Sequence, residues 1–399
     1  MGLLSSIFSN ENRTRKDMEN SLFVLEGGSK QGEGQGRGAV SSEKKILKDV
    51  FDIIEEVPEG KKLLNDVAKM GYKFHFQTNI GKVGGACYNL EKAIMLNPTV
   101  FNSAAELATA CYHEMVHAMQ DKQLGENGKN ASGLNMADQI RLDRAKEAAA
   151  YTEQAAFAYK IKDKHPEVGD WLDRKLIYSE YKKEMDKSGD MAKAAEKTFK
   201  AWYNCEDILP HYEKAAVEII CTDINNACKG IFTKKPDRAL FQGSLSAEEM
   251  VQAAFITKDA RNGISPDYLK SEEANRLSED RANDLRSLSK QCEQKFGYKD
   301  ESLSTMNIVA KPKEEEKPKQ SMMAALKQTE KETKETAKAE KPKESMMSTL
   351  MKTEQAQEKP SLMGFLAGIA ADMAVGAAKH QATNAVKQEV MKAVKGNDR

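Results

Sequence analysis

The chain has 399 residues with 61 basic and 61 acidic side chains, so no global field recruits nucleic acid or an acidic surface. Charged residues make up 31% and aromatics 7%, with Ala, Lys and Glu frequent, which describes a helix-rich soluble protein with a solvated tail. The six cysteines (Cys87, Cys111, Cys205, Cys221, Cys228, Cys292) form no CxxC pair and no framework spacing, which suits reduced, mostly buried thiols of a cytosolic protein.

Residues 1–42 read as a flexible segment. The start, "MGLLSSIFSNENRTRK", has too short an apolar run for a signal peptide, and its basic residues follow that run; a cytoplasmic protein is expected, with export as an effector left open. Gly2 with Ser6 fits a permissive myristoylation pattern. The glycine-rich "EGGSKQGEGQGRGAVSS" lacks the Lys-Ser/Thr of a P-loop and the spacing of a dinucleotide fingerprint, and reads as linker.

From residue 43 to about 300 the chain reads as folded, α+β and mostly helical, with a main domain at 43–235 and a helical extension at 236–300. "EKKILKDVFDIIEEV" carries a helical apolar stripe through Ile46, Leu47, Val50, Ile53 and Ile54. Pro58 and Gly60 break it, and "KKLLNDVAKMG" makes a second helix that stops at Gly71. The period then becomes two. "YKFHFQ" is a strand with Tyr72, Phe74 and Phe76 on one face and His75 on the other. Glycines 81, 84 and 85 read as a turn, "KAIMLNP" as a second strand ended by Pro98, and the rest as helix with breaks at "LFQGSLS" and "GISPDY".

Residues 301–360 read as a disordered linker of Lys/Glu/Pro tracts without an apolar face. Within it "EKPKQSMMAALKQTEK" recurs as "EKPKESMMSTLMKTEQ", with "EKPSLMGFL" as a truncated third copy. These Met/Leu islands suit docking motifs for a partner, or duplication drift in a tether. Residues 361–399 form an Ala-rich helix whose apolar half is interrupted by Asp372 and is too short to span a bilayer, so it suits coiled-coil-like self-association or surface adsorption.

The chemistry concentrates in "AAELATACYHEMVHAMQDKQ", residues 104–123. Ser103 with Glu106 forms a capping box, so a helix begins near Ala104 and runs at least through Gln120. On it His113 and His117 lie one turn apart and can reach one ion, while Glu114, about 100° round, lies beside that ion. This is the requirement of a hydrolytic zinc site: two imidazole ligands, a third ligand from elsewhere, a water in the fourth position, and Glu114 as general base.

"HEMVHAMQ" on a helix, preceded by "GACYNLEKAIMLNP" and followed by "RAKEAAAYTEQ", resembles the zincin metallopeptidases. More narrowly, it resembles an uncharacterised bacterial group of metallopeptidases reading HExxHAxQ and then R-x-x-E-A-x-A. The resemblance covers roughly residues 45–230 and rests on His113, Glu114, His117, Gln120, Arg144, Glu147 and Ala150. It implies a zincin-like catalytic domain with a small sheet and an active-site helix, a gluzincin-like site whose third ligand is a glutamate on a downstream helix, and "KAIMLNP" as the edge strand to which an extended peptide substrate adds. A departure is the run "EAAA", where small polar or acidic residues are common in the group.

Two glutamates compete for the third position on the helix expected over 135–161. Glu147 stands in a mostly apolar stripe (Met136, Ile140, Ala150, Tyr151, Gln154, Ala158, Ile161), where a carboxylate needs a partner, either the ion or Arg144 one turn earlier. Glu153 stands with Lys146, Ala149, Phe157 and Lys160, where a charge can face water; the metal set is therefore His113, His117 and Glu147. His75 is read as a surface histidine or a cleft residue, His211 and Tyr212 as candidate oxyanion donors, and Cys111, Trp202 and Tyr203 as core. Two functions follow: a zinc peptidase acting on proteins or peptides, or a catalytically silent scaffold acting through its tail.

Overall fold

A computed structural model describes residues 13–26, 35–78, 83–174, 176–228 and 241–310. The Met/Leu repeats and the Ala-rich C-terminal segment lie outside the described residues. The fold is α+β and mostly helical, with one small mixed sheet. In chain order the elements are α1 (Arg15–Asn20), β1 (Phe23–Glu26), β2 (Gln35–Gly38), α2 (Ser41–Ile54), α3 (Pro58–Lys69), β3 (Lys73–Gln77), β4 (Gly85–Tyr88), β5 (Ala93–Leu96), α4 (Ala104–Glu126) and α5 (Met136–Ile161). There follow α6 (Pro166–Asp173), α7 (Leu176–Ser188), α8 (Met191–Tyr203), α9 (Leu209–Cys228), α10 (Ala247–Ala254), α11 (Lys258–Asn262), β6 (Arg276–Ser278), α12 (Glu279–Phe296) and β7 (Asn307–Val309). Among the described residues no helix is long and apolar enough to cross a membrane.

The sheet order is β2-β1-β3-β5-β4, with β1, β3 and β5 parallel and the two outer strands antiparallel to their neighbours. This corrects the expectation for "KAIMLNP": β5 is internal, and the edge strand is β4. Gly84 and Gly85 are not a turn. They are extended residues with no room for a side chain, because a Cβ on Gly84 would stand 2.8 Å from the Phe101 ring and one on Gly85 would stand 2.9 Å from Glu114 Cγ.

A second correction concerns residues 1–42. Residues 13–26 and 35–42 are part of the fold, since Met18, Leu22 and Val24 are buried and β1 lies in the sheet. Arg15 fastens α1 to α2 through Asp52 (2.5 Å) and Glu55 (2.7 Å), and Arg13 donates to the Gly71 carbonyl at 2.8 Å. The pairing is invisible locally because β1 pairs in parallel with β3 some fifty residues later.

The apolar stripe of α2 (Leu47, Val50, Phe51, Ile54) packs with Leu64 and Val67 of α3 on the sheet face carrying Phe74 and Phe76, and α4 closes this core through Ala108, Cys111 and Met115. Pro58 starts α3 at its first helical position, where its missing N–H costs nothing. Gly60 sits at the α2–α3 corner, where a Cβ would meet the Ile54 carbonyl oxygen at 2.1 Å.

Helix α5 is the axis of the molecule and is covered on every side. Its middle packs with Phe199, Trp202 and Tyr203 of α8 and with α10, and its start packs with α9, α12 and Leu303. Residues 241–310 therefore share the core of the main domain. The span 301–310, expected to be linker, ends in β7, which pairs in parallel with β6.

Burial of α5 also overturns the reading of Glu153. It is 1% exposed, and its carboxylate accepts from Thr257 N and Oγ1, both at 2.8 Å. Burial pushes its carboxyl up to about 7 from 4.5, against the lowering effect of the Thr257 bonds. A carboxyl raised in the folded state favours folding while protonated and loses that contribution as pH rises from about 4.5 to about 7. Glu153→Gln keeps an acceptor for Thr257 and removes the charge. The variant is expected to unfold at higher denaturant than wild type at pH 8, by up to about 3 kcal/mol, with the gap closing toward pH 4.5. Parallel slopes of stability against pH would contradict this.

Candidate metal centre

Helix α4 starts where its cap predicts: Ser103 Oγ accepts from Glu106 N at 3.1 Å. The return arm differs from a capping box, because the Glu106 carboxylate takes the Asn102 N–H (3.0 Å) and pairs with Arg174 (2.7 Å). From this start the 3.6-residue repeat carries His113 and His117 to the side facing α5, where Glu147 stands. The His113 and His117 Nε2 atoms are 3.0 Å apart. Glu147 Oε1 is 3.4 Å from His117 Nε2, and Oε2 is 3.7 Å from His113 Nε2.

The protonation of both rings follows from two glutamines. Gln120 Nε2 donates to the carbonyls of Lys146 (2.8 Å) and Ala254 (2.6 Å), so its Oε1 must accept, and it takes His117 Nδ1–H at 2.8 Å. Gln154 Nε2 donates to Thr109 Oγ1 (3.2 Å), and its Oε1 accepts from His113 Nδ1 (3.1 Å) and from Tyr178 OH (2.8 Å). Both imidazoles thus give Nδ1–H away and turn Nε2 into the cluster.

Two lone pairs and a carboxylate facing one another repel unless a positive charge stands among them. No described lysine or arginine supplies it, so it is either a proton on one imidazole or a metal ion. Arg144, the alternative partner of Glu147, is fully buried and reaches Glu213 (2.8 Å) and the Arg276 carbonyl (2.5 Å), while Lys146 reaches Asp121 (3.3 Å). Glu147 Oε2 is buried with no hydrogen-bond partner among the described residues. Burial works to raise the Glu147 carboxyl, yet the facing imidazoles hold it well below the usual range; burial works to lower His117, and Glu147 raises it. These atoms lie within 4.8 Å of one another, and the donor set of two imidazole nitrogens and one carboxylate fits a divalent transition metal.

Glu114 lies beside this set, against the edge strand. A Cβ on Gly85 would stand 3.0 Å from Glu114 Oε1 and 3.0 Å from the Met95 carbonyl oxygen, so the carboxylate occupies space that only glycine leaves free. Burial pushes the Glu114 carboxyl up to about 7, with His113 opposing and Glu147 adding to the rise. Gly85→Ala is expected to displace this carboxylate while leaving His113, His117 and Glu147 where they are. A structure of the variant should show the Glu114 carboxylate moved away from residue 85, with His113, His117 and Glu147 in place. An unmoved carboxylate would show that Glu114 has room to spare.

Of the remaining candidates, Tyr212 lies near the centre and His211 is exposed. The Tyr212 hydroxyl is 3.3 Å from that of Tyr151, whose ring stands edge-on to His113 at 4.9 Å between centroids. The Glu147 and Glu114 charges both work to raise the Tyr212 and Tyr151 hydroxyls, whose main cause is burial. His75 is half-buried on β3 with its ring against Phe23, and Cys111 is core. Gln154, Thr109, Tyr178 and Gly85 are neighbours of the cluster that the motif does not reveal, although Gln154 stands in the same stripe as Glu147.

Residues 34–229, just under half of the chain, match the model of the family described as "Putative metallopeptidase family (DUF6782)". The class indicated by site and match together is metallopeptidase, and the matched span holds His113, Glu114, His117 and Glu147. No curated protein and no solved structure matches the chain.

Proposed function

We propose that the chain is a zinc-dependent metallopeptidase of zincin type that cleaves peptide bonds in proteins or peptides, acting in the cytoplasm or delivered from it. The observation that carries this reading is the convergence of His113 Nε2, His117 Nε2 and the Glu147 carboxylate, both rings held by glutamines, with Glu114 alongside. These three residues would hold the zinc, and Glu114 is no part of that set. When bound, zinc supplies a Lewis acid that acidifies a water to a pKa of about 7 and polarises a carbonyl.

The chain's own groups do the rest. Glu114 takes the proton of the attacking water on a carboxylate oxygen and passes it to the leaving nitrogen. Gln120 and Gln154 keep the imidazoles from turning, and Tyr212, with Tyr151, offers a hydroxyl donor near the reacting carbonyl. The edge strand orients the substrate. Asn97 N donates to the Gly84 carbonyl at 2.9 Å, so in the β4–β5 ladder the N–H and C=O groups of Gly85 and Cys87 point to the open edge. An extended peptide pairing there runs past Glu114.

A metal-holding scaffold without activity would have no use for a carboxylate at Glu114 set against a glycine, which favours the enzyme. The test is cleavage of a denatured proteome by the purified full chain. Expected is a set of new termini that disappears with a chelator and returns with zinc; the same termini in the presence of chelator would refute the reading.

A further inference from the structure

One buried ion pair joins the helix that carries Glu147 to the helix that carries Tyr212. Arg144 of α5 and Glu213 of α9 are both buried and meet at 2.8 Å. Arg144 stands one turn before Glu147, and Glu213 directly follows Tyr212. The other guanidinium arm donates to the Arg276 carbonyl at 2.5 Å. The Glu213 carboxylate also accepts from the backbone N–H of Ser278 (3.2 Å) and from its hydroxyl. Taking the peptidase reading as the basis, we propose that Arg144, Glu213 and Ser278 are positioning residues that hold the Tyr212 hydroxyl at the reacting carbonyl.

Tyr212 needs such a hold. Its hydroxyl is 3.3 Å from that of Tyr151, beyond the roughly 2.7–2.8 Å usual between bonded hydroxyls, so that contact alone does not fix it. Its ring packs beside Trp202 at 5.5 Å between centroids, an apolar contact without direction. Tyr212 also lies in the first turn of α9, where helices fray. A side chain reaches about 6 Å from the helix axis, so a rotation of about 10° moves its tip by about 1 Å. A misplacement of that size can cost on the order of 100-fold in rate.

The chemistry of the pair suits this role better than that of a plain fastener. Apolar side chains of similar volume would hold two helices together as well, whereas a charged pair with hydrogen bonds on both partners fixes direction. Both oxygens of Glu213 are engaged, one by Arg144 and the other by Ser278, so the first turn of α9 cannot rotate without breaking a bond. Arg276 and Ser278 belong to β6, beyond residue 229 where the family match ends. The span 241–310 thereby reaches the site through Tyr212, as it does at His117, where the Ala254 carbonyl holds Gln120.

The experiment combines structure determination with a kinetic cycle on the full chain. Glu213→Gln keeps the shape of the side chain and removes its charge and one acceptor. Its structure should show the Tyr212 hydroxyl moved by about 1 Å or more relative to Tyr151, with His113, His117 and Glu147 in place. On one fluorogenic peptide its kcat should fall about tenfold or more with KM nearly unchanged. Tyr212→Phe should lower kcat in the wild type and cost little further in the Glu213→Gln background. Should Glu213→Gln fail to fold, Arg144→Met/Glu213→Leu removes both charges together, and the same results are expected of it. A Tyr212 hydroxyl that stays in place, or a full Tyr212→Phe effect in the variant, overturns the proposal and leaves the pair a fastener only. A wild type without turnover counts against the peptidase reading instead, and the variant's structure then still decides whether the pair sets Tyr212.

Discussion

Glu147→Ala is expected to lower zinc affinity by about a thousandfold or more, and Glu153→Ala to leave it nearly unchanged, in titrations of apo-protein against a competing chelator. Removing a group that merely supports a ligand typically costs about 10- to 100-fold in affinity, and removing the ligand itself costs more. The two residues share α5, six positions and about 120° apart. Glu147 faces the Nε2 atoms of both imidazoles, whereas both oxygens of Glu153 are taken up by Thr257. Glu153→Ala is expected to disturb the packing of α11 and so lower stability, which is separable from metal affinity. The reverse result, with zinc tracking Glu153, would put the ion on the Thr257 side of the helix.

Glu114→Gln should retain one zinc per chain and lose hydrolysis by about 10²- to 10⁴-fold, the usual worth of a positioned general base. Glutamine has the same shape, so the close approach to Gly85 is kept and only the proton acceptor is removed. Turnover of a fluorogenic peptide pool, measured beside metal content, reads both quantities. Retained turnover would assign the base elsewhere, and loss of the metal would make Glu114 a ligand.

The meeting of His113 and His117 on one side of α4 was legible in the sequence because its signal is local. A Ser103 cap followed by good helix formers fixes a helix, and two histidines four apart on it must share a side. Glu147 was legible for a different reason: a carboxylate in an apolar stripe needs a partner. Glu153 was misread because the group that covers it, Thr257, is 104 positions away. Lys146 and Lys160 on its stripe suggested water, yet the chain from 241 onward packs there. Arg144 belongs with it, since its partner Glu213 is 69 positions away. The edge strand was missed because glycine pairs ordinarily mark turns, while here they mark close approach to Phe101 and Glu114. Strands β1 and β2 were missed because β1 pairs in parallel with a strand far along the chain, and no local pattern encodes such pairing.

The most direct test of the metal centre is the zinc content of the gently purified full chain, beside His113→Ala and His117→Ala, by native mass spectrometry with circular dichroism as the control for fold. One zinc per wild-type chain and none in either variant, with helix content preserved, is the expected result. A wild-type chain without zinc, or variants that bind it as well as wild type, would contradict the assignment of His113, His117 and Glu147 as a metal site.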